Sequence, residues 1–469
     1  MPFAVLLRLF FSLWITYLWH FQPWGLGSDR LVFLVQAIAE QGTFALDNYT
    51  VLLPPGQGVV VQGHLYSDLN PGLALLAAPF WWLVSQVYLL LPETSLWRQP
   101  DLHYVLSHGI AVGMTTSLLT AITACGLAQL VYHKTQMCWR GVLAALLYGG
   151  GSVACFFATH LNPHGAIAAI VLGLYITLFT PELLGLGNHR YRAAAIGFLL
   201  GAGLLIDITM LPMVAVTAGF LVVQYRDRLQ ELFGVMLGAI PPLTLLLYYQ
   251  AVCFGHPLST ALGLWLAQTH QSSWAGQVGQ QGFKVSALGV YLFSPCRGLL
   301  IYQPYLVLVV AYLVLFWVRS RRLQAIEKQF IASTSLVYLA LLTVIPADTL
   351  VSAFGPQQLL PLLPLLCMVV AVYCPQPLNG GTLWLFGLGF GFNLIGAQQG
   401  TMTENVLRSS LLALSELPSF PFITWLATML PQRVGMAVGG RWELVALSLW
   451  LVSLGLIWRP MKPKSRRRK

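Results

Sequence analysis

Two carboxylates near the N-terminus, Asp29 and Asp68, are the side chains of this sequence best placed for acid–base chemistry. Both lie in Gln22–Pro71, the largest polar stretch near the N-terminus. It reads Gly27-Ser28-Asp29-Arg30, a helical stretch Leu31–Glu40, then Gly42-Thr43-Phe44, and later Gly63-His64-Leu65-Tyr66-Ser67-Asp68 ahead of Pro71-Gly72. Ser28 can cap the short helix, leaving Asp29 in its positively polarised first turn, where an ionised carboxylate is favoured. Such a carboxylate can take the proton of an attacking hydroxyl as a general base. On residue type and spacing alone the plainer reading is that Asp29 and Asp68 are solvated loop residues stabilising helix starts.

Other reactive-looking side chains have blander readings. His160 and His164 are four apart and could hold a metal on a helix face, but Pro163 and the turn around them favour lining a polar pocket. Asp207, in the middle of an apolar run, reads as a structural turn rather than a proton relay. Asn48-Tyr49-Thr50 matches a glycosylation triplet of a kind that arises often by chance. The seven cysteines form no CxxC pair or ligand spacing, so neither a disulfide framework nor a metal site is expected.

The elements that must position these residues are membrane helices. Hydrophobic residues make up 57% of the 469, charged residues 9%, and mean hydropathy is +0.72. Soluble domains carry roughly 25% charged residues, so a soluble globule is excluded. Apolar runs fall near 3–22, 72–91, 103–132, 141–158, 161–180, 193–224, 232–254, 302–318, 330–347, 357–374, 382–398 and 442–458. They are too long for barrel strands and lack alternation. The expectation is an all-α, polytopic integral membrane protein of about 11 to 13 transmembrane helices. One transmembrane domain, 1–458, would carry a basic cytoplasmic tail, 459–469. The N-terminal run lacks a small-residue cleavage site and reads as the first span.

The net charge of +10 sits in short loops and in the tail, the positive-inside pattern, which argues against nucleic acid and for a cytoplasmic C-terminus in contact with membrane lipids. Keeping the basic loops on one side requires the 193–224 run to be two helices turning near Asp207. It also requires that either 103–132 be two short helices or 72–91 not cross fully. The non-cytoplasmic segments are then 22–71, the Thr159–His164 turn, 255–303 and 399–441, with stretches such as Val406–Leu417 lying at the interface. No internal repeat is evident, which weighs against a transporter of inverted halves.

The order of motifs resembles the GT-C glycosyltransferases, multispanning enzymes that use polyprenyl-phosphate-linked sugars, and within them the protein-mannosyltransferase-like and lipid A-modifying branch. The likeness covers about residues 25 to 365. It rests on Asp29 with its short helix, Gly63–Asp68 with Pro71-Gly72, Thr159-His160 with Pro163-His164, Phe254-Gly255-His256-Pro257, Ser294-Pro295 with Arg297-Gly298-Leu299, and Phe354-Gly355-Pro356. The resemblance implies a GT-C-like fold whose first non-cytoplasmic loop contains short juxtamembrane helices. It implies an inverting sugar transfer from a polyprenyl phosphate to an acceptor on the non-cytoplasmic face of a bacterial inner membrane. Asp29 would be the catalytic base. Arg30, His64, Tyr66, Asp68, His160, His164, Arg297 and Gln357 would bind donor phosphate or acceptor. No cofactor or divalent metal is expected, since the lipid-linked sugar is itself a substrate. The sequence departs from the family at Leu69-Asn70, where Lys-Pro is usual, and at Gln357, where Arg is usual. Both lost cations are plausible phosphate binders, and Arg297 is the best replacement. A non-catalytic scaffold of the same fold, or a transporter or flippase of lipid-linked sugars, are the alternatives.

Overall fold

The computed structural model describes residues 1–23, 29–53, 58–92, 98–225, 229–260, 263–264, 285–295, 298–316, 322–344, 354–399, 419–434 and 442–459. Helices dominate them. One small antiparallel pair, β1 (Val59–Val61) and β2 (His64–Tyr66), sets Val60 opposite Leu65 in the first loop. The all-α expectation is met, and five of the helical stretches are long and apolar enough to cross a membrane.

The first helix, α1 (Phe3–Trp19), is followed by α2 (Asp29–Gln36), which widens into a π turn, Ala37–Gln41. Next come α3 (Gly72–Leu90), α4 (Pro100–Val112) and α5 (Leu118–Thr135). A π turn, Gly113–Ser117, joins α4 to α5, making residues 100–135 one helical run. The run is therefore not two short helices. It lies antiparallel to α1: the Met1 amino group donates to Gln129 Oε1 at 3.0 Å, and Trp14 Nε1 to the Gly113 carbonyl at 2.8 Å.

Against α4, α3 is antiparallel: Trp81 meets Tyr104 edge-on, Ser85 Oγ lies 3.1 Å from His103 Nε2, and the Tyr88 hydroxyl donates to the Arg98 carbonyl. Gly72 abuts the backbone of Leu205 and Ile206, at the end of the fold where α1 finishes. Residues 100–135 are one helical run and α3 pairs antiparallel with its first part, so the chain reverses between α3 and α4 and comes back to the end it left. Thus 72–90 never leads to the end holding Met1 and Lys134. Arg98, which simple span counting puts with the basic loops, lies on the opposite side.

Beyond α5 the helices alternate: α6 (Cys138–Gly149), the short α7 (Val153–Phe157), α8 (Pro163–Phe179), α9 (His189–Ile206), α10 (Leu211–Tyr225) and α11 (Leu229–Phe254). Asn162 and Asn188 cap α8 and α9 by accepting from the His164 and Arg190 amides, each at 2.9 Å. Gly234 faces Ala193, Gly238 faces Ala194, and Gly201 faces Ala239 and Pro242. Residue numbers rise together across that contact, so α9 and α11 are parallel and α10 must run back between them. The 193–224 run is therefore two helices, as the basic loops required. Its turn is made by Asp207, whose Oδ1 accepts from the Thr209 amide at 2.7 Å.

The remainder comprises α12 (Val285–Phe293), α13 (Leu299–Tyr302), α14 (Val307–Phe316), α15 (Ala325–Val344), α16 (Leu363–Tyr373), α17 (Gly380–Gln399), α18 (Pro421–Val434) and α19 (Trp442–Ile457). The expected 302–318 run is broken at Gln303-Pro304, and 357–374 begins as a 3-10 turn, Gln357–Leu362. Tyr17, Tyr148, Tyr175, Tyr302 and Tyr305 are wholly enclosed in the core, and the Tyr17 and Tyr305 hydroxyls donate to helix carbonyls at Gly149 and Leu147.

Basic residues gather at one end. Arg8 donates to the Arg459 carbonyl, Arg192 to Thr177 and Leu178, Arg322 to Val372, and Arg140 to Val372 and Cys374. Lys134 pairs there with Glu327, which also accepts from the Tyr175 hydroxyl. Val406–Leu417, residues 265–284 and the tail from residue 460 lie outside the described residues.

Candidate functional site

The end opposite the basic residues gathers most of the residues singled out from the sequence. Arg30, in the first turn of α2, and Asp68, at the close of the β2 segment, form an ion pair with Nη1 2.9 Å from Oδ2. Their side chains are 24% and 13% exposed, so Asp68 is not the solvated loop residue that its type and spacing suggested. Burial pushes the Asp68 carboxyl above the usual carboxylate range, against the pull of the Arg30 guanidinium. Arg30 Nε and Asp68 Oδ1 are both buried without a hydrogen-bond partner. The pair is thus half-satisfied, with a donor and an acceptor left over.

Asp29 opens α2 immediately before Arg30, so its backbone stands at this pair; its side chain lies outside the described residues, as does Ser28. The helix forms where Leu31, Val32, Leu34 and Val35 bury fully, which fixes the helix start against the core. The polar end of α2 is thereby held at the face of the bundle rather than free in a loop.

From Asp68 the chain passes directly to the turn at Asp207. Asn70 Nδ2 donates to the Leu204 carbonyl at 2.6 Å, and a Cβ at Gly72 would lie 2.7 Å from the backbone of Leu205 and Ile206. Asn70 stands where the resembled family has proline. Here its amide satisfies one of the free carbonyls at the end of α9.

His164 is buried at the start of α8, and its Nδ1 has no partner. Asn162 links this turn to Gln357: its Oδ1 accepts from the His164 amide, and its Nδ2 donates to Gln357 Oε1 at 3.3 Å. Asn162 was not singled out as a site residue. Its signal was present as an Asn-Pro helix start, but only the fold supplies Gln357 as its other partner.

His160 is buried beside Phe156, its Nδ1 2.9 Å from Thr159 Oγ1 and 3.1 Å from the Phe156 carbonyl. Burial pushes it down to about 3, so it is a neutral imidazole. Its neighbour Thr159 accepts from the Gln22 amide, tying the start of the first loop to this turn.

Two of the singled-out residues stand elsewhere. His64 is exposed at the start of β2, with Nδ1 2.7 Å from Asp47 Oδ2. Tyr66 packs edge-on against Phe254. His64 pairs with Asp47 and not with Asp68. Arg297 lies outside the described residues. Among the described residues, no three His, Cys, Asp or Glu side chains come together as a metal cluster.

No family model matches the sequence, and no curated protein matches it. Among solved structures the chain is similar to ArnT from Cupriavidus metallidurans, crystallised bound to undecaprenyl phosphate. The identity is 10%, the TM-score 0.54, and the match covers 97% of this chain and 76% of ArnT. At that identity the likeness is one of fold: a polytopic membrane architecture of the GT-C kind, running nearly the whole length of the chain.

Proposed function

We propose that this protein is a GT-C-type glycosyltransferase drawing its sugar from a polyprenyl-phosphate carrier. The supporting observation is the Arg30–Asp68 pair at the start of α2, beside Asp29, on a fold shared with a protein crystallised on undecaprenyl phosphate. In this reading the site end faces away from the cytoplasm of a bacterial inner membrane, and the basic end with the C-terminus faces the cytoplasm.

The chemistry asks little of the protein. An acceptor hydroxyl attacks the anomeric carbon with inversion while Asp29 accepts its proton. The carrier phosphate departs with the bonding pair. Being weakly basic, it needs cationic and hydrogen-bond stabilisation rather than a second acid. Arg30 is the first such group. Asp68 holds it in place, and its buried free oxygen is an acceptor for an incoming hydroxyl. Asn162, at the start of α8, ties His164 to Gln357 as further polar groups of the same end.

The test is transfer by purified protein offered a panel of polyprenyl-phosphate sugars, wild type against Asp29→Asn. Losing a general base should slow transfer about a hundredfold or more, with donor binding kept. Undiminished transfer by the variant would remove Asp29 from the mechanism. The sequence favours one competing reading, a non-catalytic scaffold, because Leu69 and Gln357 stand where the resembled family has cations. A wild type that transfers from no donor would establish that reading instead.

A further inference from the structure

Arg30 has two tasks at the start of α2: it tethers the helix to Asp68 and, in the proposed reaction, it meets the carrier phosphate. A second tether lies at the other end of the same helical segment. Residues 29–41 run without a break through α2 and its π turn, which places Glu40 about 15 Å along the axis from Arg30.

Glu40 Oε1 accepts from the Trp81 indole Nε1 at 2.7 Å and from Ser85 Oγ at 3.3 Å, both on α3, and Glu40 Oε2 accepts from Gln36 Nε2 at 3.0 Å. Ser85 Oγ also lies 3.1 Å from His103 Nε2 on α4, and the Tyr88 ring covers His103 with centroids 4.2 Å apart. The Glu40 side chain is 26% exposed, whereas Trp81 is wholly enclosed and Ser85 is buried. An indole N–H so enclosed needs an acceptor, and a carboxylate makes the stronger bond. The π turn that presents Glu40 is closed by Gly42, left-handed at φ +64°, whose amide returns to the Ala37 carbonyl. Single π turns within helices recur at functional sites.

Arg30 bonds to Asp68, four residues ahead of α3, and Glu40 bonds to Trp81 and Ser85 within it. Therefore α2 runs parallel to α3 and is fastened at both ends. Burial of Leu31, Val32, Leu34 and Val35 holds α2 against the core, but apolar burial is non-directional. The directional bonds at the two ends set its rotation and its position along α3.

We infer that Glu40 is a positioning residue of the proposed site, acting through α2 on Arg30 and Asp29. The inference rests on the proposed use of a polyprenyl-phosphate donor. With the far end of α2 fixed on Trp81 and Ser85, Arg30 can turn from Asp68 to an arriving phosphate while the helix keeps its register, and the backbone of Asp29 keeps its place. Without Glu40, holding the helix and binding the phosphate compete for one guanidinium. From sequence, Glu40 is only the last residue of a short helical stretch.

The experiment measures undecaprenyl phosphate binding to the full chain in nanodiscs, with undecaprenol as the uncharged control. Hydrogen exchange over residues 31–36 and thermal unfolding are followed on every variant. In Glu40→Ala, binding of the phosphate, and not of the alcohol, should weaken about tenfold, and the α2 amides should exchange faster. Glu40→Gln keeps an oxygen for Trp81 and Ser85 and should restore most of both. Trp81→Phe removes the same bond from the other side and should reproduce the loss, which also covers a Glu40→Ala that fails to fold. Gly197→Ala disturbs the α9–α11 contact instead. It should melt at lower temperature and still bind the phosphate as wild type does. If it lost binding as Glu40→Ala does, at an equal loss of melting temperature, Glu40 would act through stability alone and the inference would fail. Binding by Glu40→Ala equal to wild type would also overturn it while leaving the donor reading intact. A wild type that does not distinguish the phosphate from the alcohol would overturn both.

Discussion

Arg30 reaches across the first loop to Asp68, Nη1 to Oδ2 at 2.9 Å, with both side chains largely withdrawn from solvent. This contact joins the start of α2 to the residue two positions before Asn70, and through Asn70 to the end of α9. Removing either partner strands the other. Arg30→Gln is expected to destabilise the protein by about 1–3 kcal/mol, because Asp68 keeps its burial and loses its cation. Asp68→Asn strands the Arg30 guanidinium instead and should cost less, because Arg30 is the more exposed partner, 24% against 13%. A double-mutant cycle read by thermal unfolding measures the coupling, and additivity of the two changes would refute it.

The same pair sets a pH dependence. Burial raises the folded-state affinity of Asp68 for its proton, so the folded state holds that proton to higher pH than the unfolded chain does. The stability from this difference is fully present below the ordinary carboxylate value and is lost as pH rises through the raised one. Asp68→Asn abolishes the effect, so the stability of the variant relative to wild type should increase on moving from acid to neutral pH. Parallel pH–stability curves for the two proteins would contradict this assignment.

Asp47 behaves in the opposite sense. A hydrogen bond with His64, and then the Leu65 amide at 2.8 Å, hold its carboxyl below the usual range. The stability this adds is present above the ordinary carboxylate value and is lost as pH falls through the lowered one. The pair is exposed, so Asp47→Asn should cost under about 1 kcal/mol. The effect should be local: faster exchange of the Leu65 amide, with the Asn70 side chain still on Leu204. Unchanged exchange at Leu65 would show that Asp47 does not order the hairpin.

The α9–α11 contact is one of backbone on backbone. A Cβ at Gly197 would overlap the Val235 carbonyl, and one at Gly238 the Ala194 carbonyl. Close approach of this kind is available only to glycine, and it is what holds membrane helices together in the absence of a hydrophobic driving force. Gly197→Ala and Gly238→Ala should each lower stability by about 2 kcal/mol or more by prising the helices apart. Gly219→Ala, where a Cβ meets nothing, should be neutral. Equal melting of all three would refute the packing argument.

The reversal between α3 and α4 makes a topological prediction. With accessible native cysteines replaced, thiols introduced by Gln62→Cys and Asp101→Cys should react with an impermeant reagent from one side of sealed vesicles. That introduced by His189→Cys should react from the other side. Labelling of the Asp101→Cys thiol together with the His189→Cys thiol would show that 72–90 crosses to the basic end after all.

The membrane class, the helical fold and the clustering of basic loops were legible in the sequence, because burial in lipid demands long uncharged runs and charge placement follows the membrane sides. The same rule required a turn near Asp207, since only a reversal puts Arg190 and Arg192 beside the start of α11. What hydropathy could not decide was whether 72–91 crosses: an apolar helix is equally apolar against lipid or against its neighbour. Where α3 runs shows only in the fold, in the antiparallel pairing of Trp81, Ser85 and Tyr88 with α4.

The site divides in the same way. Residue types and motif order picked out Asp29, Arg30, Asp68, His164 and Gln357, because each sits in a local pattern of caps, glycines and prolines. Local pattern could not say that Asp68 is buried against Arg30, that His64 turns to Asp47 instead, or that Asn162 links His164 to Gln357. Those are contacts between segments tens to hundreds of residues apart. Their energetics depend on desolvation and partner geometry, which exist only once the helices have packed.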